Sequence, residues 1–290
     1  MRQDDSESVS LLTGAAGGLG RVVAAALARR GSHVVAVVRD QRTGDALQHD
    51  IPGLEVLTAD LSERNAVHAV ADQFLGRHSA LHLLVNNAGA HFGRRSVNAD
   101  GVEMHVAVNH LAGFLLTERL RPALVAGAPS RVVNVVSAAM NDTRQIKIGR
   151  RPRPVTLDPA QLDDLRSVNP AQGYRPFTAY ARSKLLTLMA GYRLAEQLDG
   201  TGVTVNAVHP GLAGTGVVDD MTPAVMKPLS GLIKRSLLTP EQAAQAILRV
   251  ATDPGLDGVT GRYFDRDTEA STTPVSHDRV LRQRIIELCG

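Results

Sequence analysis

Cysteine is nearly absent from this chain: among 290 residues it occurs once, at Cys289. A single thiol supplies neither an internal disulfide framework nor a cysteine metal site, so we expect a reducing compartment and no metal. Uncharged apolar runs long enough to span a bilayer are also missing, and residues 1–8 are polar and acidic, unlike a signal peptide. The sequence therefore predicts a cytoplasmic protein that is not attached to a membrane.

Lysine is scarce as well, with 4 Lys against 28 Arg. The formal net charge is +3, and the arginines are scattered among acids. The one basic cluster, residues 150–153, contains a proline and has no interleaved aromatic residues. We therefore expect no nucleic-acid partner.

Apolar sequence is plentiful, at 43% of the chain, and its segments alternate in the manner of strands and helices. No linker or internal repeat interrupts them, which favours a single domain spanning residues 1–290. We predict an α/β doubly wound Rossmann fold, with a parallel sheet of about seven strands flanked by helices. The strands are expected near residues 9–13, 33–38, 55–58, 81–86, 130–136, 203–208 and 260–264.

A glycine-rich turn follows the first expected strand. Residues 13–20 read TGAAGGLG, and a helical pattern covers residues 21–30. Glycines permit a tight turn and let the backbone approach a pyrophosphate, whose charge is favoured by the amino end of the following helix. The strand, turn and helix together predict a dinucleotide site.

The residue after the second expected strand bears on the choice of cofactor. Arg39 stands where a dinucleotide site reads the adenosine ribose, and it would pair with the 2′-phosphate of NADP, with Arg21 assisting. Alternatively, Arg39 is an exposed residue of an arginine-rich chain, and Asp40 beside it weakens the inference. Charge favours NADPH, with NADH as the alternative.

Polar and small residues end the third and fourth expected strands. Asp60 and the run 86–89 (Asn-Asn-Ala-Gly) would line the ligand crevice at the carboxyl ends of a parallel sheet. Asp60 could equally cap a helix, and the asparagines could be turn residues.

Tyr180 and Lys184 lie four residues apart on an expected helix and therefore share a face. A neighbouring ammonium favours phenolate, so we expect the tyrosine pKa to be lowered from about 10, which suits acid–base work near neutrality. The alternative is that amphipathic helices carry this spacing by accident.

Ordered motifs link these features. The glycine run 13–20, the run 86–89, Asn109, Ser137, Tyr180 with Lys184, and Pro210-Gly211 follow one another along the chain. In this order they resemble the classical short-chain dehydrogenases/reductases over roughly residues 8–265. Asp100-Gly101-x-Glu103, residues 109–117 and residues 261–264 are similar to the retinol-dehydrogenase-like branch.

The resemblance implies roles for four catalytic residues. Tyr180 would donate a proton to a carbonyl oxygen, or accept one in the reverse oxidation, and Ser137 would hydrogen-bond the same oxygen. Lys184 would bind the nicotinamide ribose, and Asn109 would bend its helix and hold a relay water. Otherwise Ser137 caps a strand end and Asn109 faces solvent.

The same resemblance implies the contacts of a nicotinamide cofactor. Gly14, Gly18 and Leu19 would surround the pyrophosphate, Asp60 would meet adenine, and residues 210–215 would run beside the nicotinamide. The expected cofactor-binding residues are Thr13, Gly14, Ala16, Gly18, Leu19, Gly20, Arg39, Asp60, Leu61, Asn87, Ala88, Gly89, Tyr180, Lys184, Pro210, Gly211, Ala213 and Thr215.

Two irregular segments flank the expected site. Residues 138–179 form an unusually long, proline-containing insert, with a short helix expected at 159–167, and both its neighbours are catalytic candidates. Long irregular segments are commonly functional, so we expect this insert to wall the substrate pocket. Residues 217–238, rich in methionine and proline, suit either a substrate lid or ordinary core packing.

These inferences lead to one expected function. It is NADPH-dependent reduction of an apolar, medium-sized ketone or aldehyde, with the proton supplied by Tyr180. The alternatives are an NAD-linked secondary-alcohol dehydrogenase and a non-catalytic protein that senses NADP. The partner is a small carbonyl or alcohol substrate, and the resemblance implies a homodimer or homotetramer.

Overall fold

A computed structural model describes residues 8–143, 153–213 and 237–290. Its centre is a sheet with the strand order β3-β2-β1-β4-β5-β6-β7-β8, parallel except for the pairing of β7 with β8. The strands are β1 (Val9–Thr13), β2 (His33–Val38), β3 (Glu55–Thr58), β4 (Leu83–Asn86), β5 (Ser130–Val135), β6 (Val203–His209), β7 (Tyr263–Asp265) and β8 (Thr268–Glu269).

Helices cover both faces of this sheet. The reason is visible in β2, which has apolar residues on both sides: Val35 and Val37 point into one apolar core, whereas Val34 and Val38 point into the other. Each face must therefore be shielded from water by helices. The helices are α1 (Gly18–Arg29), α2 (Gln41–Asp50), α3 (Arg64–Leu75), α4 (Met104–Val106), α5 (Ala112–Arg119), α6 (Arg121–Ala126), α7 (Pro176–Gln197), α8 (Pro240–Thr252) and α9 (Arg279–Cys289).

The strand order reverses between β1 and β4, which confirms the predicted doubly wound sheet and its switch point. The helices α1, α2 and α8 pack on one face, and α3, α5, α7 and α9 pack on the other. The sequence predicted about seven strands, and the structure has eight in its described residues. The additional strand is β8, a two-residue antiparallel strand at the edge of the sheet. Ligand sites of such sheets lie at the carboxyl ends of the strands.

Residues 153–175, which belong to the insert, are integrated into the core. The short helix expected at 159–167 is replaced by two 3₁₀ turns, Pro159–Leu162 and Leu165–Ser167. Asp164 has an extended backbone and its side chain caps the second turn, which prevents one continuous helix. Leu162 and Leu165 are buried in the core.

Two expectations concern residues beyond this description. Thr215 and almost all of the segment 217–238 lie outside the described residues, so the expected lid and nicotinamide contact stay predictions. Within the described ranges, no helix is both long and apolar enough to cross a membrane.

Candidate active site

The glycine turn forms at the carboxyl end of β1. Gly14 has a φ of +67°, a left-handed conformation that favours glycine, and its carbonyl accepts a hydrogen bond from Gly17 N at 3.2 Å. Helix α1 begins at Gly18, and no side chain caps its amino end. Residues 16–18 are exposed. The helix therefore presents an open amino end of the kind that binds an anion.

Gly20 explains why the turn needs a further glycine. A Cβ at this position would lie 2.2 Å from the carbonyl oxygen of Gly14 and 2.8 Å from Asn87 Nδ2. Both distances are far inside van der Waals contact, so any side chain would displace the turn. Helix α1 can therefore approach β1 this closely only because residue 20 is a glycine, with no side chain on its Cα.

Thr13 joins the glycine turn to the end of β4. Its hydroxyl accepts hydrogen bonds from Asn87 N at 3.1 Å and Ala88 N at 3.0 Å. In return, Asn87 Nδ2 donates to the carbonyls of Thr13 at 3.0 Å and Gly14 at 3.2 Å. These residues are therefore brought together as a rigid frame at the switch point, and Asn87 is more than a turn residue.

Arg39 lies exposed at the carboxyl end of β2 and forms no hydrogen bond or ion pair with another described residue. Asp40 beside it is engaged as the cap of α2, because its carboxylate accepts from Thr43 N at 2.9 Å. Arg21, expected to assist Arg39, instead pairs with Asp50 at 2.5 Å. The capping role of Asp40 removes the main objection to Arg39 as a phosphate ligand, whereas Arg21 is committed elsewhere.

Asp60 lies beyond β3 and folds back on its own loop. Its carboxylate accepts hydrogen bonds from Ser62 N at 2.9 Å and Ser62 Oγ at 2.8 Å. These bonds, with a smaller contribution from the charge of Arg39, hold the pKa of Asp60 below its usual value. The adjacent Leu61 is partly buried against the core. The local contacts of Asp60 are thus those of a turn residue. The alternative that it caps a helix is wrong, because helix α3 has Glu63 at its amino-terminal cap position and no side chain caps it.

Tyr180 and Lys184 occupy one face of α7 beside the end of β5. Tyr180 is buried, and the Ser137 side chain lies near enough to its phenol to offset part of the rise in pKa that burial causes. Ser137 Oγ also accepts from Ala139 N at 3.2 Å, so it caps the following turn as well. Lys184 Nζ donates to the carbonyl of Val135 at 2.9 Å and lies 6.0 Å from the centre of the Tyr180 ring. The three candidate catalytic side chains therefore converge.

The electrostatics of this pair correct one expectation. Burial raises the pKa of Tyr180, and the nearby Ser137 side chain offsets only part of that effect. Burial also lowers the pKa of Lys184 to about 8. The predicted lowering of the tyrosine pKa by Lys184 is wrong for this structure, because the cost of burying a phenolate outweighs the attraction of an ammonium that is directed at Val135.

Asn109 lies in a π-helical turn, Ala107–Leu111, between α4 and α5. Its side chain is buried: Oδ1 accepts from Ala90 N at 2.8 Å, and Nδ2 donates to Ala90 O at 3.0 Å and Ser183 Oγ at 3.1 Å. The solvent-facing alternative is therefore excluded. A Cβ on Gly89 would lie 3.0 Å from Lys184 Nζ, which places this glycine in the same site.

The carboxyl end of β6 completes the described part of the crevice. Residues 210–213 leave the strand with Gly211 at a φ of +91°, where a Cβ would lie 2.5 Å from Leu238 Cδ1. Ala213 bridges to Leu238. Pro210, Gly211 and Ala213 are thus fixed at the same edge of the sheet as the glycine turn.

A buried network around Glu103 is the main feature that sequence reasoning missed. The Glu103 carboxylate is fully buried and accepts from His105 Nδ1 at 2.8 Å, Tyr174 Oη at 2.9 Å and Asn169 Nδ2 at 2.8 Å. Arg182 Nη1 in turn donates to Asn169 Oδ1 at 2.7 Å. The network therefore ties the insert to both α4 and α7.

The Glu103 network also reaches the ring of Tyr180. His105 Nε2 accepts from Phe92 N at 2.9 Å, so its proton belongs on Nδ1, facing Glu103. The His105 ring packs edge-on to Tyr180 with centroids 6.1 Å apart, and His91 does so at 6.0 Å. The sequence points to this network only through Glu103, which belongs to the motif Asp100-Gly101-x-Glu103. That motif is similar to the retinol-dehydrogenase-like branch, but the resemblance assigns no role to its residues.

Comparisons with known proteins agree with this architecture. The family model described as short chain dehydrogenase matches residues 8–147. Retinol dehydrogenase 12 of Bos taurus is 34% identical over 283 residues, covering 96% of this chain and 83% of that protein. Retinol dehydrogenase 14 of Homo sapiens is 33% identical over 299 residues, covering 96% and 84%.

Solved structures repeat the fold. An uncharacterized protein from Mycobacterium Paratuberculosis has a TM-score of 0.73 at 28% identity, covering 98% of this chain and 94% of that one. A 3-ketoacyl-(acyl-carrier-protein) reductase from Brucella melitensis, complexed with NADH, has a TM-score of 0.64 at 24% identity, covering 89% and 96%. At this identity the second likeness bears on the fold alone.

The doubly wound sheet and its glycine turn define a dinucleotide-binding α/β enzyme. The chain belongs to the short-chain dehydrogenase/reductase family, in its retinol-dehydrogenase-like branch. It is an NAD(P)-dependent oxidoreductase that acts on CH–OH or C=O groups.

Proposed function

We propose that this enzyme is an NADPH-dependent carbonyl reductase of apolar, medium-sized ketones or aldehydes. The observation that carries the proposal is the convergence of Ser137, Tyr180 and Lys184 at the edge of the sheet that also holds the glycine turn. A dinucleotide fits this edge, because the glycine turn exposes backbone N–H groups next to the uncapped amino end of α1. The turn is this tight because residue 20 is a glycine, since a Cβ there would collide with the Gly14 carbonyl.

When bound, NADPH supplies the hydride that reduces a carbonyl carbon. In our proposal Gly14, Gly18 and Leu19 hold the pyrophosphate through their backbone, next to the amino end of α1. Asn87, Ala88 and Gly89 border the adenosine, and Pro210, Gly211 and Ala213 border the nicotinamide side.

The chain's own residues handle the proton. Tyr180 Oη donates it to the carbonyl oxygen, while the Ser137 hydroxyl hydrogen-bonds that oxygen and stabilises the charge that develops there. Lys184 binds the nicotinamide ribose and, once Tyr180 has given up its proton, stabilises the phenolate. Asn109 fixes the loop at Ala90 and the Ser183 hydroxyl, which holds α7 in register with the crevice.

The raised pKa of Tyr180 supports the reductive direction. A phenol whose pKa is raised keeps its proton at neutral pH and has it available to donate, although the same shift makes it a weaker acid than an unperturbed tyrosine. Oxidation of an alcohol would instead need phenolate as a base, which burial disfavours. The NAD-linked alcohol dehydrogenase is therefore the second candidate, kept because the relatives are named retinol dehydrogenases.

NADPH oxidation measured against a panel of carbonyl compounds tests the proposal. The panel should include retinal, because the relatives are named retinol dehydrogenases, together with smaller ketones and aldehydes. We expect carbonyl-dependent oxidation that Tyr180→Phe reduces by about 10²-fold or more, with NADPH still binding. Absence of turnover with every compound, or full activity in Tyr180→Phe, would contradict it.

The preference for NADPH is proposed from the charge and exposure of Arg39. An Arg–phosphate contact is charge-assisted, so Arg39→Asp should weaken NADPH binding by at least about tenfold and leave NADH binding nearly unchanged. Arg279→Asp is a matched control, since it makes the same charge change at an exposed residue of α9. Equal loss in both variants, or no loss in Arg39→Asp, would show that Arg39 does not read the phosphate.

Several further expectations remain proposals. The enzyme is a single domain, residues 138–179 wall the substrate pocket, and segment 217–238 forms either a substrate lid or part of the core. A cytoplasmic location and pairing into a homodimer or homotetramer are proposed on the same footing. Cell fractionation and light scattering would test these last two.

A further inference from the structure

Three side chains with metal-ligating atoms meet at the amino ends of the strands, far along β2 from the cofactor edge. His33 is the first residue of β2, Glu55 is the first of β3, and His78 follows α3. The Nε2 atoms of His33 and His78 lie 3.0 Å and 2.8 Å from the same atom, Glu55 Oε2. Their ligand atoms all lie within 4.8 Å of one another.

This geometry is close to that of a metal site. Zinc binds imidazole nitrogen and carboxylate oxygen at about 2.0–2.2 Å, which separates tetrahedral ligands by about 3.4 Å from one another. The two nitrogen–oxygen distances fall short of that value by about half an ångström, and the two nitrogens lie within 4.8 Å of each other. Side-chain rotations would therefore be needed to bring all three ligands to tetrahedral separations. Two histidines with one glutamate are also a donor set that zinc uses in proteins.

The surroundings of the cluster fit the same interpretation. Arg77 Nη1 donates to the other carboxylate oxygen, Glu55 Oε1, at 2.8 Å, and so orients Oε2 toward the two imidazoles. Metal-ligating carboxylates are commonly held in this way by an outer hydrogen bond. The His33, Glu55 and His78 side chains are 27%, 18% and 15% exposed, so an ion can enter from solvent.

We propose that His33 Nε2, His78 Nε2 and Glu55 Oε2 bind a zinc-like divalent transition-metal ion, with a water as fourth ligand. The ion replaces the two hydrogen bonds to Oε2, and each neutral ring then carries its proton on Nδ1. The site joins the first residues of β2 and β3 to the segment after α3. Arg39 and the cofactor edge lie at the opposite end of β2. The site therefore lies away from the cofactor edge, and the inference is independent of the proposed reduction.

The sequence alone predicted no metal, because these ligands have no recognisable spacing. His33 and Glu55 are 22 residues apart, and Glu55 and His78 are 23 apart. Parallel pairing of β2 with β3 brings them together.

Titration of the metal-free full chain with Co²⁺ tests the proposal, since a tetrahedral nitrogen–oxygen site gives visible d–d absorption. We expect one Co²⁺ per chain, displaced by Zn²⁺ but not by Mg²⁺. His33→Gln and His78→Gln should each weaken binding by more than the roughly 10–100-fold cost of losing an outer hydrogen bond. His49→Gln is the control, because it removes an exposed histidine from α2.

If a variant fails to fold, the wild type itself can be tested. Its histidines are chemically modified with and without Zn²⁺, and the modified positions are mapped by mass spectrometry. Zn²⁺ should protect His33 and His78 and leave His49 reactive. No tetrahedral Co²⁺ spectrum, binding that survives both ligand substitutions, or protection that does not favour these two histidines would overturn the proposal.

Discussion

Replacing Glu103 by glutamine should both destabilise the enzyme and loosen its substrate site. The carboxylate accepts three hydrogen bonds, two at Oε1 from His105 and Tyr174 and one at Oε2 from Asn169. A glutamine oxygen can keep the first two, but its NH₂ group then faces the NH₂ group of Asn169. Rotating the Asn169 amide would break its bond with Arg182, so no inexpensive rearrangement exists.

The magnitude follows from two buried NH₂ groups, those of the introduced glutamine and of Asn169, of which at least one is left without an acceptor. Such a group costs about 1–3 kcal/mol, so Glu103→Gln should lower the free energy of unfolding by that amount at pH 7. Urea denaturation measures it. Glu287→Gln is a matched control at an exposed residue of α9, and it should stay within about 0.5 kcal/mol of the wild type.

The pH dependence of this difference has a definite sign. Burial raises the pKa of Glu103, but the hydrogen bonds from His105 and Asn169 outweigh it and hold the pKa below 4.5. A lowered carboxyl pKa contributes stability that is complete above the unfolded value and is lost as pH falls through the folded value. The stability gap between wild type and Glu103→Gln should therefore be constant above about pH 4.5 and shrink below it.

Kinetics distinguish positioning from stability alone. The network ties Asn169 and Tyr174 of the insert to Glu103 and His105, and the His105 ring packs edge-on to Tyr180. None of its hydrogen bonds between described residues reaches the glycine turn. Glu103→Gln should raise KM for the carbonyl substrate and leave NADPH affinity unchanged. Wild-type stability in the variant, or a gap that widens in acid, would refute this account of the network.

Two further predictions concern other positions. Gly20→Ala should weaken NADPH binding by more than about tenfold in a fluorescence titration, because its Cβ would collide with the Gly14 carbonyl; Gly93→Ala, with open space around it, should bind normally. Cys289 should resist thiol reagents until the protein unfolds. Burial raises the pKa of its thiol to about 12, and its Sγ lies 3.2 Å from His110 Nε2 inside the protein. Fast labelling of the native enzyme would contradict this.

The sheet could be predicted well because its signals are local. Strands β1, β2 and β3 begin and end where the sequence placed them, since each is a short apolar run bounded by turn residues. The glycine turn was recognisable for the same reason. The fourth strand was expected to begin at residue 81 but begins at Leu83.

The Glu103 network could not be predicted, because its bonds are not local. Asn169 and Tyr174 are 66 and 71 residues from Glu103, and no periodicity encodes their meeting. The pKa of Tyr180 was misjudged for a related reason: the spacing to Lys184 is visible in sequence, whereas the depth of burial is not.

Transfer of deuterium from the nicotinamide C4 of labelled NADPH to a carbonyl substrate tests the central claim most directly. Mass spectrometry of the alcohol should find the label on the former carbonyl carbon with the wild type, and almost none with Tyr180→Phe under conditions where that variant still binds NADPH. Unlabelled alcohol from the wild type, or equal labelling by both proteins, would contradict the account.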